Sequence, residues 1–410
     1  MTKRVVFKFE HGNFTDGFSV SVRIEEENQQ IEIEGIFPPA PNLQDLYQRW
    51  DSDYSALGNL RLGNFKKVHN PAPMDYTQLI KSCQQLSTEL LDCFKDWLQN
   101  STESGFQNFR SELCTELGQG DARIQLKIPA KIREKSPQLE KLPWHLWELT
   151  KRAKIGVEVA LAPTQSRLIN AVERDKTKVR ILAIFGADDG IDINSDKTLL
   201  DELKAKGAEI TSLIEPKKSE ISNQLWDQNW DILFFAGHSS SQGEQGLLFI
   251  NRNESLTIAE LALGLTRAID NGLQLAIFNS CDGLKLAWDL ADLNIPQVIV
   301  MREPVPDKVA QTFLKFFLAE FSKGAELYLA VRHARQRLFE TCEKEYPSAS
   351  WLPIIYQNPN AEPFFWPKVE EAIVLPPKEI PINPDNDLIK AHKLFGQIVD
   401  VSVANFGTRR

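Results

Sequence analysis

Apolar runs of strand length alternate with amphipathic helical segments from about residue 178 to residue 358, and this alternation limits the fold more than any other feature. Such a chain builds a mostly parallel sheet with helices on both faces, because each crossover helix must cover the sheet. The sequence therefore predicts an α/β fold, whose chemistry gathers outside the carboxyl ends of the strands. The apolar runs are residues 179–185, 209–214, 231–237, 273–280, 296–301 and 351–356.

The first 165 residues have a different pattern. Residues 5–9, 18–24 and 30–36 alternate apolar and polar side chains, which predicts a small antiparallel meander. Residues 76–98 and 105–117 carry apolar side chains at helical spacing, and residues 123–128 predict another strand. We therefore expect a smaller α+β accessory domain over residues 1–165, followed by the α/β domain over residues 166–358. The proline-rich residues 359–410 predict a linker or a surface strap.

Composition excludes several classes of protein. A net charge of -9 argues against general affinity for nucleic acid or for anionic membranes. The amino terminus has no apolar segment of a signal peptide, and no apolar run approaches the length of a membrane span. Five cysteines, an odd number without framework spacing, indicate a reducing compartment, so we expect a cytoplasmic protein.

His238 and Cys281 occupy parallel places in the chain. Each follows an apolar run at the carboxyl end of a predicted strand, and Cys281 comes 43 positions after His238. A neighbouring imidazole promotes ionisation of a thiol, and the thiolate is the nucleophile. The backbone amides of Ser239 and Cys281 are placed to form an oxyanion hole. The structural alternative is a strand-capping histidine and a small buried cysteine.

The order and the flanking residues resemble a known family. In caspases the histidine precedes the cysteine by about 50 residues, whereas in papain-like enzymes the cysteine comes first. The flanking sequence is similar to CHAT domains, which are caspase-like, separase-related cysteine peptidases common in bacteria beside tetratricopeptide repeats. Ser239 replaces the glycine that usually follows the histidine in that family. The similar segments are FFAGH at 234–238, LTIAEL at 256–261, FNSCDG at 278–283, IPQVIVM at 295–301, LAVRHAR at 329–335 and SWLP at 350–353.

This resemblance implies a caspase-like fold and a cysteine endopeptidase, with Cys281 as nucleophile and His238 as general acid and base. The substrate would be a protein or peptide, and no cofactor is implied. Residues 301–304 also resemble a subgroup joined to membrane-bound CHASE2 sensor domains, so a fused sensor or a regulatory protein partner is expected. Residues 1–165 would then be an accessory domain or a degenerate caspase-like unit.

Three carboxylates are candidates for the pocket that selects the substrate. Relatives that cleave after arginine or lysine use acidic residues there, and Asp188, Asp189 and Asp282 lie beside predicted strand ends. Solvated loop residues are the plainer interpretation. Asp192 and Asp196 suggest a calcium loop, but Lys197 and Leu203 stand where that loop needs glycine and glutamate, so no metal site is predicted.

Other functions fit less well. A dinucleotide-binding domain needs a glycine-rich turn after its first strand, and residues 186–190 lack that pattern. The alternative that stays open is a catalytically silent caspase-like scaffold in a bacterial regulatory or defence system. A peptidase would be latent until a partner or signal activates it. The polar residues 239–246 predict a mobile loop beside the site.

Overall fold

A large mixed sheet forms the centre of the described structure, and the amino-terminal strands lie at one of its edges. The computed structural model describes residues 3–26, 29–61, 76–118, 122–149, 158–166, 178–187, 192–242, 245–280, 283–362 and 364–367. Within these ranges, eleven strands form the sheet in the order β3-β2-β1-β4-β5-β14-β13-β12-β8-β6-β7, and β11-β10-β9 form a smaller one. The strands are β1 Lys3–Asn13, β2 Gly17–Glu26, β3 Gln29–Phe37, β4 Ala122–Lys127, β5 Val159–Ala162, β6 Val179–Phe185, β7 Ala208–Ile214, β8 Ile232–Ala236, β9 Ser239–Gln242, β10 Gln245–Phe249, β11 Ser255–Thr257, β12 Leu275–Asn279, β13 Gln297–Met301 and β14 Pro353–Gln357.

The direction of the strands confirms the predicted α/β class. The pairs from β13 through β12, β8 and β6 to β7 are all parallel. The pairs β1–β4, β4–β5 and β5–β14 are parallel as well, whereas β1–β2, β2–β3 and β13–β14 are antiparallel. Every residue of β8, β12, β13 and β14 is buried. Only strands covered on both faces bury all their side chains.

Helices supply that cover. They are α1 Pro41–Arg61, α2 Tyr76–Lys95, α3 Ser104–Leu117, α4 Ala130–Lys135, α5 Gln138–Lys141, α6 Ile193–Asp201, α7 Lys218–Asp227, α8 Ile258–Asp270, α9 Gly283–Asp292, α10 Asp307–Phe321 and α11 Leu327–Cys342. A π-helical turn, Asp96–Asn100, extends α2. Thr257 begins α8 with a capping box, in which its side chain and that of Glu260 each accept the other's backbone N–H. None of these helices combines the length and apolar character that crossing a bilayer requires.

Aromatic side chains fill the core beneath the amino-terminal strands. Phe37 is completely buried, and its ring lies 5.7 Å from that of Phe9 and 5.3 Å from that of Trp97. The antiparallel pairs β1–β2 and β2–β3 confirm the predicted meander. The sequence did not predict α1, which begins at Pro41, although proline is well suited to the first turn of a helix.

The chain after β14 runs along the described core as far as Pro367. Arg4 donates a hydrogen bond to the carbonyl of Pro359, and the indole N–H of Trp366 donates to the carbonyl of Lys206 at 2.9 Å. The chain divides into two compact units, residues 1–368 and 369–410. The second unit, with most of the proline-rich tail, lies outside the described residues.

Candidate active site

His238 follows β8 near the middle of the large sheet. The end of β8 is fixed on both sides, because Gly186 N–H donates to the carbonyl of Ala236 at 2.8 Å and Phe249 N–H donates to that of His238 at 3.0 Å. His238 is half-buried, and Ser239 directly after it begins β9. The histidine is thus held at the carboxyl edge of a rigid strand, where the sequence predicted it.

The strand that precedes Cys281 ends level with β8. Asn279, the last residue of β12, is the parallel partner of Ala236, the last residue of β8. His238 and Cys281 each come two residues after these partners. Neighbouring strands are about 4.8 Å apart. Cys281 lies outside the described residues, as does Asp282, and the chain is described again from Gly283.

Gly283 is required by the close approach of α9 to the sheet. A Cβ atom at this position would lie 2.5 Å from the Cβ of Val300 in β13. No side chain fits that gap without a shift of the strand or the helix. The helix that follows the nucleophile position is therefore seated directly on a central strand.

A hairpin links the two halves of the site. Residues 239–246 were predicted as a mobile loop, but the loop assignment is wrong for the described residues, since Ser239–Gln242 and Gln245–Phe249 pair as antiparallel strands. Gly246 lies against Leu286 of α9, and its N–H points to the carboxylate of Asp289 at 3.4 Å. Strand β9 was not predicted because all of its side chains are polar, and strands are usually recognised by an alternation of apolar and polar residues.

A small pocket lies at the same edge of the sheet. Its walls include Gly237 beside His238, Asn279 and Ser280 before Cys281, and the carboxylates of Asp196 and Asp307. Its volume of about 10 Å³ has room for roughly one water molecule. The pocket therefore marks the place where the two strand ends and the acidic helix termini meet.

Burial controls the charge of these carboxylates. It raises the pKa of Asp196 to about 7, against the lowering effect of the hydrogen bond from Asn279, while Asp307 and Asp192 raise it further. Burial also raises the pKa of Asp307, and the positive form of His238 opposes that shift. His238 is therefore close enough to Asp307 to affect the charge of that carboxyl group.

The amino-terminal region holds one wall of this pocket. The hydroxyl of Tyr47 in α1 donates to Glu303 at 2.9 Å, and that of Tyr54 donates to the carbonyl of Pro304 at 2.8 Å. Lys141 forms an ion pair with Glu303 at 2.6 Å. These contacts fix Glu303 and Pro304 in the segment after β13, and Asp307 comes four residues after Glu303.

The acidic residues predicted for substrate selection stay untested by geometry. Asp188, Asp189 and Asp282 all lie outside the described residues. Sequence reasoning missed Asp196 and Asp307 as members of the site. Their signal was available, because each stands in the first turn of a helix that follows a parallel strand. Among the described residues, no group of three or more His, Cys, Asp or Glu side chains is placed to hold a metal ion.

Comparisons with known proteins agree with this architecture. The CHAT domain family matches residues 135–373 of the chain. A crystal structure of the Saccharomyces cerevisiae separase–securin complex superimposes with a TM-score of 0.52 at 11% sequence identity. The match covers 88% of this chain and 30% of the separase-complex chain, so the present chain spans less than a third of that length. No curated protein sequence gives a significant match.

Proposed function

Because the chain belongs to the CHAT domain family, we propose that it is a caspase-like cysteine endopeptidase in which Cys281 is the nucleophile and His238 the general acid and base. The pairing of Asn279 with Ala236 supports this assignment most directly. It brings the backbone to the same level two residues before His238 and two residues before Cys281. Two reacting groups on adjacent strands need this alignment to act on one bond.

The proposed reaction proceeds through an acyl-enzyme. His238 takes the proton of the Cys281 thiol, and the thiolate attacks the carbonyl carbon of the scissile peptide bond. The backbone N–H groups of Ser239 and Cys281 would stabilise the oxyanion. His238 then gives the proton to the departing amine. It next takes a proton from water, which attacks the thioester and releases the acid product and the thiol.

Ser239 is compatible with its place in the proposed oxyanion hole. It pairs with Leu248 in the β9–β10 hairpin. Among the described residues, the non-glycine residues with positive φ are Glu215, Asn294 and Ser348. The backbone at Ser239 therefore does not demand the glycine that CHAT relatives usually carry there.

The pocket at the strand ends supports a latent enzyme with a basic substrate preference. Its volume admits a water molecule and no arginine or lysine side chain, so substrate entry requires a rearrangement. Once open, Asp307 would join Asp188, Asp189 and Asp282 as a candidate partner of a basic side chain. A regulatory protein partner is part of the proposal, and the similar separase structure is likewise a complex with a second protein, securin.

A catalytically silent scaffold remains the second candidate. The hydrogen bonds from α1 to the segment after β13 would serve a signalling module as well as an enzyme. We keep residues 1–165 as an accessory unit, 166–358 as the peptidase unit and 359–410 as a linker. The odd number of cysteines keeps the cytoplasm as the proposed compartment.

Replacing the proposed nucleophile tests this function. Cys281→Ala should reduce hydrolysis of fluorogenic peptides to background, while Cys93→Ala, which removes a helical thiol distant in sequence from the site, should leave it unchanged. The free energy of unfolding of each variant should lie within about 1 kcal/mol of the wild-type value, because each loses only the sulfur atom of one side chain. The panel should carry arginine, lysine, aspartate or leucine before the cleaved bond.

Two results would contradict the proposal. Undiminished hydrolysis by Cys281→Ala would remove Cys281 from the reaction. Preference for aspartate over arginine and lysine would leave cysteine catalysis intact but overturn the acidic pocket. Because latency is part of the proposal, the panel is read before and after limited proteolysis, which can open a closed site. Peptide turnover in neither state would favour the scaffold.

A further inference from the structure

The carboxyl group of Asp196 has an unusual place in the site. Asp196 is 1% exposed, in the first turn of α6, at the edge of the sheet where β8 and β12 end. Its charged neighbours there are Asp192 at the start of the same helix, Asp307 at the start of α10 and, beyond Asp307, His238. A buried carboxyl beside two other carboxylates is costly to the fold, so its presence calls for a role.

The contact that Asp196 makes points to that role. Its Oδ1 accepts a hydrogen bond of 3.0 Å from the side-chain amide of Asn279. Asn279 ends β12, and only Ser280 separates it from Cys281. The hydroxyl of Ser280 is buried and has no hydrogen-bond partner among the described residues. On this side, therefore, the turn before Cys281 is held through the amide of Asn279.

Helix α6 is itself firmly anchored. Asp192 accepts the N–H of Ser195, which caps the helix, and its own N–H donates to Asp307 at 3.2 Å. Gln311 of α10 donates to the carbonyl of Asp192 at 2.9 Å. A carboxyl group carried by a helix fixed in this way can orient a partner side chain.

We propose that Asp196 is a positioning residue for the nucleophile: by holding Asn279 it fixes the turn at Asn279 and Ser280, directly before Cys281. The inference rests on the proposed function, because it assumes that the thiolate forms through His238. Asp196 itself touches neither substrate nor the reacting atoms in this role. Loss of the contact would let the turn drift, weaken the coupling of the thiol to the imidazole, and lower the thiolate fraction near neutral pH.

The rate of alkylation of Cys281 by iodoacetamide, mapped by mass spectrometry, tests this proposal without any peptide substrate. At pH 6.5, Asp196→Ala and Asn279→Ala should each slow the reaction about tenfold, equivalent to about 1.4 kcal/mol, a typical loss for one hydrogen bond. The double variant should be no slower than either single variant, because both remove the same contact. Asp196→Asn keeps an acceptor oxygen and should react within about threefold of the wild type.

The pH profile separates positioning from general loosening. At pH 9.5 all variants should converge on the wild-type rate, since the thiol then ionises without help. Alkylation of Cys93, half-buried on α2, serves as the internal reference for partial unfolding. If Asp196→Ala does not fold, Asn279→Ala alone removes the same hydrogen bond from its donor side.

The outcomes distinguish this inference from the function on which it rests. Wild-type reactivity at pH 6.5 in Asn279→Ala, or additive losses in the double variant, would overturn the positioning role. His238→Ala is measured alongside. If His238→Ala slows alkylation and Asn279→Ala does not, only the positioning role fails. If His238→Ala reacts like the wild type, the dyad itself fails.

Discussion

The two halves of the large sheet bury their strands in different ways. In β2, and in β1 from Phe7 to Glu10, buried side chains alternate with partly or fully exposed ones, and the buried ones pack into the core that includes Phe37. In β8 and β12 every side chain is buried, and polar groups gather where the strands end. The amino-terminal half therefore contributes packing, whereas the central half carries the candidate chemistry at its edge.

The largest expected effect tests the packing half alone. Phe37→Ala removes a fully buried ring that contacts Phe9 and Trp97, and should lower the free energy of unfolding by about 3–5 kcal/mol in a urea titration. The adjacent Ile36 is 58% exposed, so Ile36→Ala should change it by less than about 0.5 kcal/mol. Below the unfolding transition, alkylation of Cys281 should be unchanged in both. A slower reaction in folded Phe37→Ala would show that the two halves are not separable in this way.

The next effect tests the chemical half through its pH dependence. Burial raises the pKa of Asp196 to about 7 from the usual 3.8, so the folded protein keeps a proton that the unfolded chain releases. The contribution of Asp196 to the free energy of unfolding is fully present below about pH 4 and is lost as the pH rises through about 7. Asp196→Asn cannot ionise, and should be more stable than the wild type by on the order of 2 kcal/mol at pH 8. The gain should shrink by about half at pH 5.

Asp192 supplies the matched control for that measurement. Its carboxylate is exposed, and the hydrogen bonds from Ser195 lower its pKa. A lowered pKa stabilises the fold above the unfolded value and loses that contribution as the pH falls. Asp192→Asn should therefore be less stable than the wild type at pH 8, with a deficit that fades towards pH 3. The same sign for both variants would contradict the assigned environment of Asp196.

The smallest effect concerns the contact between the halves. Tyr47→Phe removes the hydroxyl that donates to Glu303, and should cost about 1 kcal/mol of stability because Lys141 still pairs with the carboxylate. Tyr54→Phe, which loses the hydrogen bond to the carbonyl of Pro304, should cost a similar amount. Thermal melts of the two variants and of their combination measure these costs. No change in the double variant would mean that α1 does not brace the segment after β13.

Sequence reasoning predicted the α/β fold and the place of His238 at a strand end, because both depend on strong local patterns. Apolar runs of seven or eight residues identified β6, β8 and β12, and the carboxyl end of the second run identified His238. The register between Asn279 and Ala236 could not be predicted, since nothing local specifies how far one parallel strand slides against another. Helix α1 could have been predicted, because its buried residues recur at the three- and four-residue spacing of a helix face: Leu43, Tyr47, Trp50, Tyr54 and Leu57.

The acidic pocket shows the same limit. Asp196 lies in a polar stretch, DINSD at 192–196, that is typical of a solvated helix start. Tertiary contacts, among them the hydrogen bond from Asn279, bury it. Burial of a carboxyl group depends on what other elements place above it. A pKa shift of this size is therefore a property of the fold rather than of the sequence pattern.

Labelling by a peptide that carries an electrophilic group, followed by mass-spectrometric mapping, tests the central claim most directly. After limited proteolysis to open the site, the account predicts a single label on Cys281 and none on Cys93, whose thiol pKa is raised by burial, or on Cys114. His238→Ala should slow the labelling about 100-fold, the lower range for loss of a general base. Labelling of Cys281 at the wild-type rate in His238→Ala, or equal labelling of all three cysteines, would contradict the account.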